Sequence, residues 1–159
     1  MSYIWCDKDE QIQDWAPPAG PLYLDTEFMR DRTYWPRLAL VQAHDGDAIR
    51  LIDTTGVSAP VLGAVLTDRC LVMHSCSEDL EALQYFTGEC PEHIEDTQIA
   101  AALVGEDMQM SYQRLVEQQL GVALPKGATR TDWLRRPLSA EQLSYAEDDV
   151  KYLPEVTGR

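Results

Sequence analysis

The run Leu22-Tyr23-Leu24-Asp25-Thr26-Glu27-Phe28 sets two acids inside an otherwise apolar stretch. A buried carboxylate without a partner either costs several kcal/mol or stays protonated, so Asp25 and Glu27 need compensation. Side chains of an extended strand repeat every two residues, which puts both acids on one face with Cα atoms about 6.5 to 7 Å apart. A divalent cation can bridge that gap; a buried arginine is the alternative partner. Spacing alone is weak evidence, because 15 Asp and 12 Glu generate such a pair by chance, and Asp79-Leu80-Glu81 is a second one. The apolar context is what sets Asp25 and Glu27 apart.

A second set is Tyr145-Ala146-Glu147-Asp148-Asp149, where Tyr145 and Asp149 are four residues apart and share a face of a helix while Glu147 and Asp148 point elsewhere. A tyrosine hydroxyl beside a metal-binding carboxylate can hold a water for attack. Asp79 opens a helical pattern, a position where an acid also serves the helix dipole. Other constellations carry less. Cys90-Pro91-Glu92-His93 has no matching second pair to complete a zinc site. His74-Ser75-Cys76 lacks the glycine-rich elbow of a nucleophile. No glycine-rich phosphate loop is present.

The elements that must position these residues follow from periodicity and breakers. After a lead-in over residues 1–20, ended by the proline-rich break at Ala16–Pro21, three β-leaning runs cover Leu22–Phe28, Leu38–Ala43 and Ala48–Ile52. A hairpin turn at His44-Asp45-Gly46-Asp47 joins the last two. Helices are expected over Ala59–Leu66, from an N-cap at Ser77 through Phe86, over Thr97–Leu103, and from Ser111 to Leu120, where Gly121 stops the last of these. Short strands are expected at Cys70–His74 and Ile94–Asp96. Ser139 with Gln142 has the form of a capping box for a final helix running to about Leu153. A meander followed by alternating helices and strands predicts an α/β fold with helices on the faces of a mixed sheet.

At 159 residues, 45% of them hydrophobic and 25% charged, one folded domain with a real core is expected. Met1–Trp15 carries Asp7, Asp9, Glu10 and Asp14 rather than a basic start and an apolar run, so no secretion signal is expected. No apolar stretch is long enough for a membrane span. Cys6, Cys70, Cys76 and Cys90 are expected as reduced thiols in a cytoplasm. The formal charge of −14 argues against gripping nucleic acid by phosphate neutralisation alone. Either the ligand is not a polyanion or cations mediate the contact.

Taken in order, Leu24-Asp25-Thr26-Glu27-Phe28, His74-Ser75-Cys76-Ser77-Glu78-Asp79-Leu80, Asp96-Thr97-Gln98 and Tyr145-Ala146-Glu147-Asp148-Asp149-Val150 resemble the 3′-5′ exonuclease domain of ribonuclease D. That family belongs to the exonucleases named for four acids and a tyrosine, the DEDDy group. The resemblance covers about Pro21 to Pro154 and includes Arg32-Thr33-Tyr34-Trp35-Pro36-Arg37-Leu38 and Thr131-Asp132-Trp133-Leu134-Arg135-Arg136-Pro137-Leu138. It implies a ribonuclease H-like fold with a mixed five-stranded sheet. By position, Asp25, Glu27, Asp79 and Asp149 match the four metal-site acids and Tyr145 the tyrosine, while Asp96 matches a structural position. The implied cofactors are two divalent cations, Mg²⁺ or Mn²⁺, with Asp25 bridging them, Glu27 and Asp149 completing one and Asp79 holding the other. The implied reaction removes nucleoside 5′-monophosphates from the 3′ end of RNA, as in the 3′-end processing of tRNA or other structured RNA. Ribonuclease D usually continues into one or two helical C-terminal domains, which are not expected within these 159 residues.

Such a site answers the charge problem, because the ions themselves meet the phosphate. The basic residues then need only guide a single-stranded 3′ end, with Phe28, Arg32, Tyr34, Trp35, Lys126, Arg130 and Trp133 as the candidates for nucleic-acid contact. Phe28 and the tryptophans could equally be core residues. A DNA-directed exonuclease of the Werner type and a binding module without catalysis are the competing readings. A monomer is the default.

Overall fold

The computed structural model describes residues 2–127 and 130–158; Met1 and Arg159, the ends of the expected domain, lie outside the described residues. Among these residues the elements run β1 (Ile4–Cys6), α1 (Asp9–Gln13), β2 (Leu22–Met29), β3 (Arg37–His44), β4 (Ile49–Asp53), α2 (Ala59–Leu66), β5 (Cys70–Met73), α3 (Ser77–Thr87), β6 (His93–Asp96), α4 (Thr97–Leu103), α5 (Tyr112–Leu120), α6 (Ala140–Lys151) and α7 (Leu153–Thr157). The strands form one sheet in the order β1-β4-β3-β2-β5-β6. β2, β3 and β4 are antiparallel neighbours, and β5, then β6, add parallel to β2. The mixed α/β sheet is as expected, with six strands rather than five.

The extra strand comes from the lead-in, which is folded. Ile4–Cys6 pairs parallel with Arg50–Ile52, and Ile12 and Trp15 are buried in the core. The Asp7 carbonyl lies so close to Gly56 that a Cβ there would collide with it, so glycine is what lets the segment dock.

Alternation along the strands divides the interior into two layers. Leu22 and Leu24 of β2 pack with Val41, Leu62, Leu71 and Leu83 under α2 and α3. Tyr23 and Met29, on the other face, join Leu40, Leu51, Leu115, Ala146 and Val150 under α5 and α6. Asp25 and Glu27 have the odd parity of Tyr23 and Met29, so β2 aims both acids at α6.

Register shifts between Glu27 and Phe28: Glu27 faces Leu40 but Phe28 faces Leu38. The Ala39 carbonyl, opposite this shift, faces β4 and accepts from Thr54 N (3.4 Å) and Arg136 Nη2 (2.8 Å). Arg136 also holds Asp53 in a two-pronged pair, Nη2 to Oδ1 at 2.7 Å and Nε to Oδ2 at 3.0 Å. That clamp ties the segment before α6 to β3 and β4.

Helix ends differ from expectation in two places. α3 begins after Cys76 rather than being capped by Ser77, because Asp96 accepts from Ser75 N (2.9 Å) and Cys76 N (3.0 Å) and shapes the turn. Ser75 sits there at φ 53°. Asp96 also caps α4 through Gln98 N, the structural role expected of it. The last helix stops at Lys151, with α7 beginning at Leu153, because Pro154 lacks the N–H to continue the ladder. The capping box of Ser139 and Gln142 forms as read.

Candidate active site

Asp25 and Glu27 on β2 meet Asp149 of α6, with one carboxylate oxygen from each lying within 4.8 Å of the others. Asp149 is reached because α6 packs across β2 and β3 with its Ala146 and Val150 face inward. Tyr145, one turn earlier, lines the same cavity of about 130 Å³ together with Leu24, Asp25, His74, Tyr112, Gln113 and Asp149. Asp79 lies outside the close trio. It heads α3 at the end of β5, is buried, and accepts a hydrogen bond from the hydroxyl of Thr26, the residue between the two acids. Its charge is still felt at Asp25.

Burial, followed by the charges of Asp149 and Asp79, holds the Asp25 carboxyl well above its ordinary range. Burial and the charge of Asp25 raise Glu27, against the hydrogen bond from Gln42. Burial and the charge of Glu27 raise Asp149. Burial takes Asp79 up to about 6, with the Thr26 hydrogen bond opposing. Among the described residues no lysine or arginine forms an ion pair with any of these four. The buried-arginine alternative fails, since Arg136 is spent on Asp53.

This donor set fits a divalent cation. It is all oxygen, it is crowded enough to repel itself, and Asp25 and Asp149 line a cavity. The Tyr145 hydroxyl is pushed upward by burial and by the negative charges of Asp149, Glu27 and Asp25, so it remains a neutral donor. Its ring rests on Gly127, where any Cβ would overlap the ring carbons, and faces Trp133 at 6.0 Å.

Trp133 corrects the sequence reading. It is 1% exposed and forms part of the wall behind Tyr145, so its ring is closed to stacking on a base. Phe28 takes the core role, packing against the layer on the face of β2 opposite the acids. Arg32, Tyr34, Trp35, Lys126 and Arg130 are exposed. Arg30 pairs with Glu81 at 2.9 Å.

Three polar residues escaped the sequence reading, and a fourth, His74, was weighed there only as part of a nucleophile. Gln42 is fully buried on β3, paired across from Asp25, and its Nε2 donates to Glu27 Oε1 at 3.1 Å. Its signal was available, a lone amide in the apolar run Leu38–Ala43. His74 lies between the Thr97 hydroxyl and the Met110 carbonyl, each at 2.7 Å, and the carbonyl requires the proton on Nε2. Tyr112 donates to the Asp148 carbonyl at 2.7 Å and accepts from Tyr152 N, holding the end of α6. Gln113 lines the cavity beside them.

Comparison with known proteins places the chain in a family. The sequence model of a family described as 3′-5′ exonuclease matches residues 3–159. Ribonuclease D of Xanthomonas oryzae is 48% identical over 157 residues, which are 94% of this chain and 42% of that protein. The crystal structure of Escherichia coli RNase D, described as an exoribonuclease involved in structured RNA processing, superposes with a TM-score of 0.88 at 39% identity, over 99% of this chain and 44% of that one. Brucella melitensis NrnC with bound Mg²⁺ gives a TM-score of 0.82 at 25% identity, over 99% of this chain and 79% of that one. The chain thus spans less than half the length of the ribonuclease D relatives it matches, and within that span it belongs to the 3′-5′ exonuclease family.

Proposed function

We propose that this chain is the catalytic unit of a metal-dependent 3′-5′ exoribonuclease that hydrolyses RNA from a single-stranded 3′ end, in the cytoplasm, to nucleoside 5′-monophosphates. The observation that carries it is the convergence of Asp25, Glu27 and Asp149 from β2 and α6 beside Tyr145 in a chain of the 3′-5′ exonuclease family. Asp25, Glu27 and Asp149 would hold one Mg²⁺ or Mn²⁺, and Asp25 with Asp79 a second. When bound, such ions activate water and neutralise charge at the phosphate.

The chain's own residues do the rest. Tyr145 keeps its proton, so it orients the attacking water by donating or accepting a hydrogen bond and does not act as the base. Gln42 fixes the rotamer of Glu27, and Thr26 fixes that of Asp79. Arg32, Lys126 and Arg130, exposed at the surface, guide the incoming strand.

The test is a 5′-labelled RNA with an unpaired 3′ end, incubated with and without Mn²⁺ or Mg²⁺. The expected result is a ladder shortening from the 3′ end that chelator abolishes, faster on RNA than on matched DNA. Asp149→Ala should lower turnover about 100-fold or more. Product that persists undiminished in excess chelator, or no shortening with Mn²⁺ present, would overturn the reading.

A further inference from the structure

Three aromatic side chains stand exposed together on the surface: Tyr34 (83%), Trp35 (46%) and Tyr85 (56%). Trp35 stacks on Tyr85 with ring centroids 5.5 Å apart and planes 14° from parallel, and Tyr34 meets Trp35 edge-on at 4.9 Å. The stack joins two elements, since Tyr34 and Trp35 lie between β2 and β3 while Tyr85 lies on α3. A second strut runs beside it: Arg30 pairs with Glu81, one helical turn from Tyr85 on the same face of α3. The Thr33 hydroxyl donates to the Trp35 carbonyl at 2.7 Å and Pro36 is buried, so the connection is braced on its side next to β3.

The position gives the patch its meaning. Arg30 directly follows the strand that carries Asp25 and Glu27, about 10 Å beyond Glu27 at strand rise. Tyr85 lies six residues, or about 9 Å of helix, beyond Asp79. Among the described residues Arg32, on the same connection, and Arg37, the first residue of β3, make no ion pair, which leaves two cations flanking the aromatic residues in sequence in a chain of net charge −14. Among the described residues the other large exposed apolar side chains, Ile4 on β1 and Ile99, Leu103, Val104 and Met108 on and after α4, offer no π-face.

We infer that Tyr34, Trp35 and Tyr85 form a stacking platform for unpaired bases a few nucleotides upstream of the scissile phosphate, with Arg32 and Arg37 meeting the backbone. The inference rests on the exonuclease reading above. Base–aromatic stacking accepts every base, so the platform sets a length preference and not a sequence preference.

The test compares KM for a ten-nucleotide and a three-nucleotide single-stranded RNA. In the wild-type protein the longer substrate should have the lower KM. Trp35→Ala and Tyr85→Ala should each raise KM for the ten-nucleotide RNA by about fivefold or more and shrink the ratio between the two lengths, since loss of one stack costs at least that much. Trp35→Phe and Tyr85→Phe keep a ring and should keep most of the length advantage. Tyr34→Ala removes a ring that is almost wholly in solvent and leaves the Trp35–Tyr85 stack its own two rings, so it reads the same effect with only the edge-on contact to Trp35 lost. Alanine variants with wild-type KM at both lengths, or phenylalanine variants as impaired as the alanine ones, would overturn the platform. A wild-type protein that shortens neither RNA would instead overturn the exonuclease reading.

Discussion

The Tyr145 ring has Gly127 against one side and Trp133 facing it, and this sets how its hydroxyl meets the cavity. A methyl group at Gly127 has no room unless the ring moves, so Gly127→Ala should impair turnover nearly as much as Tyr145→Phe. Both should lower the single-turnover rate roughly 10- to 100-fold, the scale of a lost water-orienting hydrogen bond. Unequal effects of the two substitutions would show that the ring's position and its hydroxyl act separately. Gln42 offers a cleaner case of positioning, because it touches Glu27 and lies out of reach of solvent. Gln42→Leu keeps the volume and removes the donor, and it should weaken Mn²⁺ binding about 10- to 100-fold in a direct titration. Asp25 and Glu27 were legible in the sequence because acids in an apolar strand demand an explanation. Gln42 carried the same signal among Leu38–Ala43, but an uncharged amide is easier to satisfy and so stands out less. Trp133 was misjudged because a tryptophan's identity does not say which way its ring faces.

Among the elements, the long periodic ones were legible and the short ones were not. β2, β3, α5 and α6 have enough residues for a pattern, and Ser139 with Gln142 marks the start of α6 by chemistry alone. β1 has three residues, too few for alternation, and its partner β4 is far along the chain. The bulge opposite Glu27 was equally hidden, since nothing local at Ala39 announces it. The Arg136 clamp holds the Ala39 carbonyl at that point together with Asp53. Arg136→Met should therefore cost about 3 kcal/mol in urea unfolding, the penalty of leaving Asp53 buried without its partner. A loss below about 1 kcal/mol would mean that water replaces the guanidinium there.

For the molecule as a whole, the four acids oppose folding when no cation is bound. Asp25, Glu27, Asp79 and Asp149 all have pKa values raised in the fold. Their protonated forms favour the folded state, so the stability they contribute is complete below the ordinary carboxylate range and is lost as pH rises through the raised values, near 6 for Asp79. Divalent cations bind the deprotonated acids and restore that loss. The rise in Tm on adding Mn²⁺ should accordingly be small at pH 4 and grow steadily to pH 8, as thermal melts at matched ionic strength would record. A rise independent of pH would place the cation elsewhere. Asp45, Asp53 and Asp96, held below the ordinary range by hydrogen bonds and arginines, act in the opposite sense and are common to both samples. The docking of Asp7 on Gly56 bears on how this protein can be handled in the laboratory. Shortening the gene to begin at Pro21 would strip the cover from one side of β4, leaving an open ladder of amides and carbonyls ready to recruit another molecule. Affinity handles should extend outward from residue 1 and never replace the first twenty residues.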